Sequence, residues 1–232
     1  HLGWQPLIKT WTEKFELQFP QFATDIGKWA LAICEDAIPF IRDECQEAPG
    51  IPTMDANIVQ GYLRMLTTFI SEAHRLVPQG EGQPLKSEDD QKKLVRIYVA
   101  QSAIWSLGAN LHENSRKKFV DFIRPKLQRF CPEVPDDKDL YMCTVNDDTC
   151  SFQLLSDLVP AFHFDPAQPF FNILVNTPET VGQRYLVDNL MASNFHCLFS
   201  GETGVGKSVV IQQYLNTAGE LYTTAGANFS AQ

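Results

Sequence analysis

Residues 201–208 read Gly-Glu-Thr-Gly-Val-Gly-Lys-Ser and meet every fixed position of the phosphate-binding pattern G-x-x-x-x-G-K-[ST]. This octapeptide restricts the fold more than any other stretch, because its chemistry requires a strand, a glycine loop and a helix in that order. Phe195 to Ser200 is a short apolar run with the length of a buried strand. Val209 to Leu215 continues as a helix with Val210, Ile211 and Tyr214 on one side. The glycines let backbone N–H groups converge on an anion at a helix N-terminus, where the helix dipole favours phosphate oxygens. The candidate binding set is therefore Gly201, Glu202, Thr203, Gly204, Val205, Gly206, Lys207 and Ser208. Lys207 is expected to reach the β- and γ-phosphates of ATP or ADP, and the Ser208 hydroxyl to ligate the accompanying Mg²⁺.

Phosphoryl transfer needs further parts: a second carboxylate for the metal, a group to position water, and usually an arginine finger. After Ser208 the chain offers Leu221 to Gln232, LYTTAGANFSAQ, which reads as a turn and a second short strand without an apolar run ending in Asp or Glu. The expectation is a stretch able to hold nucleotide with no catalytic residue of its own. The chain opens on His1 with no basic and apolar leader, and no apolar run approaches the roughly 18 residues of a membrane span. Part of a larger intracellular protein is expected, with no membrane contact.

With 232 residues, 44% hydrophobic and 11% aromatic, the chain can build a substantial core. Its net charge of −9 argues against a broad nucleic-acid surface. Six cysteines (Cys34, Cys45, Cys131, Cys143, Cys150 and Cys197) form no C-x-x-C pair and no Cys/His ligand spacing, so reduced, structural thiols are expected.

The first 130 residues carry helical periodicity. Trp4, Leu7, Ile8 and Trp11 suggest one helical start, and Phe15 to Phe40 continues the bundle until Pro39 interrupts it. Asp55 can cap a helix in which Ile58, Val59, Tyr62, Leu63, Leu66, Phe69 and Ile70 recur at three- and four-residue steps. The stretch PQGEGQP, Pro78 to Pro84, breaks it as a loop. Leu94, Ile97, Tyr98, Gln101, Ile104, Trp105 and Gly108 form another stripe, followed by a segment with Phe119, Phe122 and Ile123 inward that ends at Pro125. From Cys131 to Asp148 the chain turns acidic and reads as a linker or surface excursion. Phe170 to Val175 then reads as a strand or extended entry segment, and Thr180 to Met191 as a helix leading to the phosphate loop.

Other reactive residues form no constellation. His74, His112, His163 and His196 are scattered without a nucleophile beside them, and Arg116, Lys117 and Lys118 read as an ordinary charged helix face.

Several stretches together carry a resemblance to the dynein heavy chains, motors built on a ring of six AAA+ modules. IYVAQSAIWSLGANLHENSRKKFVDFIRP (Ile97 to Pro125) resembles the helices that close the second module, and LGWQPLIKTW (Leu2 to Trp11) the start of that module's small domain. ILVNTPETVGQRYLVDNL (Ile173 to Leu190) is similar to the entry into the third module, and ANFSAQ (Ala227 to Gln232) to its next strand. The chain departs from the family at Asn176, where Pro is usual, and at Gly182 and Gln183, where an Arg follows the Thr-Val pair; Arg184 comes two residues later. Glu202 and Val205 make the loop look more axonemal than cytoplasmic.

The resemblance implies a mixed α and α/β fold: a mostly helical AAA+ small domain, then the N-terminal part of a P-loop α/β domain. On it, residues 1–130 are the lid of the second module, 131–169 an inter-module linker and 170–232 the start of the third module. It further implies that ATP or ADP bound here regulates ATP-driven microtubule motility, the first module being the principal hydrolytic site. Its implied partners are the neighbouring AAA modules, microtubules, and dynein intermediate and light chains, in the cytoplasmic cytoskeleton and the axoneme of a cilium or flagellum. A helical scaffold with a vestigial, non-binding loop and an unrelated P-loop ATPase are the competing readings.

Overall fold

The computed structural model describes residues 3–48, 52–70, 86–162, 175–201, 203–218 and 223–227. Helices dominate: α1 (Gln5–Glu16), α2 (Pro20–Glu44), α3 (Asp55–Ile70), α4 (Glu88–Ser102), α5 (Glu113–Gln128), α6 (Pro178–Ala192) and α7 (Lys207–Ala218). One antiparallel hairpin, β1 (Cys143–Asn146) with β2 (Ser151–Leu154), pairs Cys143 with Leu154 and Asn146 with Ser151. The expected loop at 78–84 and the entry segment through Leu174 lie outside the described residues, as does most of the expected strand near the C-terminus.

The core gathers on α3 and α4. Tyr62, Leu66 and Phe69 of α3 and Leu94, Ile97 and Tyr98 of α4 are fully buried, as their helical spacing requires. The Tyr62 hydroxyl is satisfied by the Val99 carbonyl at 3.3 Å. Beyond Ser102 the helix widens into a π turn, Ala103–Leu107. That turn carries Trp105 into the core, where its indole N–H donates to the Leu140 carbonyl at 3.4 Å. Gly108 follows, and no larger residue fits: a Cβ there would stand 2.1 Å from the Tyr141 hydroxyl oxygen.

α1 and α2 fold over this core as a hairpin. Their tight packing depends on Gly27, where a Cβ would meet the Thr12 hydroxyl at 2.7 Å. Trp11 bridges to α3 by donating to Thr67 Oγ1 at 2.9 Å and stacks on Phe15.

Both prolines expected to end helices lie inside them instead. Pro39 sits within the 25 residues of α2, and Pro125 within α5, which runs on to Gln128. An interior proline costs on the order of 3 kcal/mol through a lost hydrogen bond and a steric clash. Packing on both flanks offsets it. Ile38 and Ile41 are buried on either side of Pro39, and the Phe40 ring stacks on Phe122 with centroids 3.8 Å apart. Beyond Pro125, Leu127 is buried, and Lys126 pairs with Asp36 at 2.8 Å. Both prolines face solvent, where water can reach the orphaned carbonyls.

The acidic stretch is more than a surface excursion. Asp136, Asp137, Asp139 and Asp148 point outward, while Cys131, Val134, Leu140, Cys143 and Val145 are buried. The half-buried acids have partners: Glu133 pairs with Arg96 at 3.1 Å, and Asp147 accepts from the Tyr98 hydroxyl. Gln101 donates to the Cys143 carbonyl at 3.4 Å, fastening β1 to α4. Arg124 of α5 donates to the carbonyls of Pro135 and Lys138.

Two outcomes follow from this core. Trp105→Ala leaves a cavity between the π turn and residues 140–142, and it should cost about 3–5 kcal/mol. Urea titration followed by circular dichroism checks it; an unchanged midpoint would place Trp105 outside the core. All six cysteines are free. Burial pushes the Cys34 thiol up to about 12 and the Cys143 thiol to about 11, so the thiolate fraction at pH 8 falls far below that of an exposed cysteine. In native protein at pH 8, iodoacetamide should leave Cys34 and Cys143 unmodified, and both should react once the chain is unfolded. Peptide mapping reads this directly.

Candidate nucleotide-binding site

The site is built from α6, the segment behind it, and α7. Thr177 caps α6 reciprocally with Thr180: the Thr177 N–H donates to Thr180 Oγ1 at 2.8 Å, and the Thr180 N–H donates to Thr177 Oγ1 at 3.3 Å. Pro178 occupies the first helical position, where its missing N–H is no loss. At the far end Asn194 takes a left-handed conformation (φ 59°), and the Phe195 N–H returns to the Leu190 carbonyl at 2.9 Å. That turn redirects the chain toward the phosphate loop.

Residues 195–200 correct the expected buried strand. They take no regular secondary structure, alternate between half-buried and exposed, and pair with no strand among the described residues. Leu198 is 86% exposed, while Phe195 rests under the Arg64 guanidinium, 6.0 Å from its ring centroid. An apolar run reveals that a segment seeks burial; the ladder that makes it a strand is a tertiary property.

The loop itself has the expected geometry. Gly201, Gly204 and Gly206 adopt φ of 152°, 88° and 83°, a region in which L side chains are strained. α7 begins at Lys207, and the Gly206 carbonyl accepts from the N–H groups of Val209 at 3.0 Å and Val210 at 3.2 Å. Lys207 folds back across the loop, its Nζ donating to the Gly201 carbonyl at 3.0 Å. Thr203, Gly204, Val205, Gly206 and Ser208 are exposed, and Glu202 lies outside the described residues. A phosphate chain needs open space over its amides. The loop provides it: a Cβ on Gly204 or Gly206 would meet nothing within 4 Å. The residues present thus fit a phosphate group at a helix N-terminus, with a cation within one loop's width and a hydroxyl beside it.

α7 is held from behind. Val210 and Ala218 are buried, whereas Ile211 is 39% exposed, so the expected apolar side is narrower than its sequence suggests. The Arg184 guanidinium lies 5.6 Å from the Tyr214 ring centroid and also donates to Thr217 Oγ1, while Gln213 donates to Asn176 Oδ1 at 3.3 Å. The sequence marks Asn176 and Arg184 only as departures from the family pattern, and it assigns neither a contact with α7. The only local signal for Arg184 is Asp188 four residues on, whose carboxylate it meets at 2.7 Å.

The remaining candidates take ordinary roles. His112 caps α5 by accepting from the Asn114 N–H at 3.3 Å, His196 is exposed, and His74 and His163 lie outside the described residues. Arg116 donates to the Leu111 carbonyl and Lys118 pairs with Glu44, in keeping with a charged helix face. Among the described residues no His, Cys, Asp or Glu cluster is arranged to hold a metal, and no helix is long and apolar enough to cross a membrane.

The family model of the dynein heavy chain AAA lid domain matches residues 28–157, and that of the P-loop containing dynein motor region matches residues 162–232. Among curated proteins, the chain is 32% identical to human dynein axonemal heavy chain 6 over 100% of its own length and 6% of that protein. It is 26% identical to human dynein axonemal heavy chain 17 over 98% of its length and 5% of the relative. To the ciliary dynein beta chain of Tripneustes gratilla it is 24% identical over 99% of its length and again 5% of the relative. The chain spans about one-twentieth of these relatives. With a lid-domain match over more than half of its residues and a motor-region match across its phosphate loop, the chain belongs to the dynein heavy chain family.

Proposed function

We propose that this chain contributes a regulatory nucleotide site to the AAA+ ring of a ciliary dynein heavy chain. In this reading residues 1–130 are the lid of the second module, 131–169 lie between modules, and 170–232 open the third. The hairpin of β1 and β2, packed on α4, travels with the lid. The loop 201–208 binds ATP or ADP: backbone amides of the loop and the α7 N-terminus cradle the phosphates, Lys207 turns from the Gly201 carbonyl toward the β- and γ-oxygens, and Ser208 offers its hydroxyl to the accompanying Mg²⁺.

The observation that carries this reading is the run of positive-φ glycines opening directly onto a helix, with Lys207 folded across them. The bound nucleotide would supply charge and contacts, not turnover; these residues bind and position, and hydrolysis belongs to the full-length motor. Its role here is regulatory because a ligand shifts a conformational equilibrium only as far as it prefers one state. The proposed partners are the adjoining AAA modules of the same heavy chain, microtubules, and intermediate and light chains. The relatives' axonemal and ciliary names support an axonemal location.

Lys207→Ala in the intact heavy chain tests the reading. Removing this cation should weaken nucleotide binding at the loop and give slow, poorly coupled microtubule gliding with residual ATPase. Complete loss of first-module turnover, followed with a local fluorescent probe, would make this loop the primary catalytic site instead. Unchanged nucleotide occupancy would favour a vestigial loop on a helical scaffold.

A calorimetric comparison addresses organisation. Residues 1–232 should bind Mg·ATP weakly and hydrolyse none, because ordering a loop that follows a segment with no ladder partner among the described residues consumes interaction energy. The intact heavy chain should bind it tightly at this loop. Tight, Lys207-dependent binding by residues 1–232 would show that the loop is organised without further strands.

A further inference from the structure

α6 touches both the helical lid and the helix that follows the phosphate loop, and it does so through two adjacent residues. Neighbours on an α-helix project about 100° apart, so they can face different partners. Tyr185 faces the lid. Its ring lies 5.9 Å from Phe69 at 26° and 5.9 Å from Trp105 edge-on at 86°. One turn earlier, Gly182 brings the helix so near residues 155–158 that a Cβ would stand 2.8 Å from Leu155 Cδ1. Arg184 faces α7. Asp188 holds its Nε at 2.7 Å, which aims the guanidinium at Thr217 Oγ1 and over the Tyr214 ring. Gln213 of α7 also donates to Asn176, in the segment just ahead of the α6 cap, at 3.3 Å.

We infer that α6 is a rigid link by which the lid and the phosphate loop hold each other in position, with Tyr185 as its lid-side contact and Arg184 as its loop-side contact. α6 has the stiffness this requires. It is capped at its N-terminus by Thr177 and Thr180, stopped at its C-terminus by left-handed Asn194, and braced within by Asn189, which donates to the Tyr185 carbonyl at 2.7 Å. α7 is continuous from Lys207 to Ala218, so a displacement of its loop end moves Tyr214 and Thr217 with it. Arg184 passes that displacement to α6, and Tyr185 passes it to Trp105 and the π turn. The direction is reciprocal: a lid held in one arrangement biases the loop as much as a filled loop biases the lid. The part of this inference that involves nucleotide rests on the function proposed above. The mechanical link between lid, α6 and α7 does not.

Amide hydrogen exchange on the intact heavy chain tests it, using wild type, Tyr185→Ala, Tyr185→Phe and Arg184→Ala, each with and without Mg·ADP. Without nucleotide, Tyr185→Ala should speed exchange in α7 by about tenfold, the scale set by losing two aromatic contacts. Tyr185→Phe, which keeps the ring, should speed it less than Tyr185→Ala does. Arg184→Ala should speed α7 while leaving α4 and the π turn unchanged. With Mg·ADP, exchange should slow both at residues 203–210 and in the π turn, and Arg184→Ala should retain the first response and lose the second. Unchanged α7 exchange in both alanine variants overturns the link. So does a π-turn response to Mg·ADP that survives both substitutions. If Mg·ADP slows residues 203–210 in no variant, the nucleotide reading fails, and the ligand-free comparison still decides the link by itself.

Discussion

Trp105 is the contact on which the arrangement depends. It leaves α4 on a π turn, and that widening aims the indole at two elements far apart in sequence. On one side it donates to Leu140, anchoring the short helical turn that leads into the β hairpin. On the other it meets the Tyr185 ring of α6 in a T-shaped contact. A regular α-helical continuation would rotate position 105 by about 100° for each residue of altered register, and the same indole could not serve both. π turns are tolerated where their poorer hydrogen bonding is offset by such a side-chain placement. Here the lid, the hairpin and the approach to the phosphate loop share one side chain as their point of contact.

The sequence was most legible where its signal is local. The stripe from Ile58 to Ile70 became α3, and the one from Leu94 onward became α4 and the π turn, because burial on one face imposes a period that neighbours share. Helices at Asp55 and Thr180 start within two residues of expectation. The phosphate loop was legible for the same reason: its glycines, lysine and serine act within eight consecutive residues, and the positive φ angles at Gly201, Gly204 and Gly206 are what those glycines permit.

What sequence could not show depends on partners far along the chain. Pro39 and Pro125 carry a local rule that tertiary packing overrides, since Phe40 stacking on Phe122 joins residues 82 positions apart. The acidic stretch hid Val134, Leu140, Cys143 and Val145 because isolated apolar residues among carboxylates produce no periodic signal, although each finds a place in the core. Residues 195–200 erred in the opposite direction. Their apolar character is real, yet pairing needs a neighbouring strand, and among the described residues the only hairpin lies elsewhere. Arg184 stood out only by its place in the family pattern and by Asp188 one turn on: its partners Tyr214 and Thr217 come roughly thirty residues later, and only the fold brings them together.

These differences also separate the chain by firmness. The lid side combines stacked rings with a continuous apolar core, so opening it exposes much surface at once. α7 has only Val210 and Ala218 buried and leans on Arg184, Gln213 and a partly covered Tyr214. Local opening free energies follow that contrast, and the elements with few buried contacts open first. An anion seated at the α7 N-terminus would add charge-assisted bonds where the element is weakest, so its stabilising effect would fall on the loop and α7 and reach the lid only through contacts stiff enough to carry it. The physical demand on such a site is therefore twofold: a loop loose enough to admit a phosphate chain, and behind it a short, capped helix that is not.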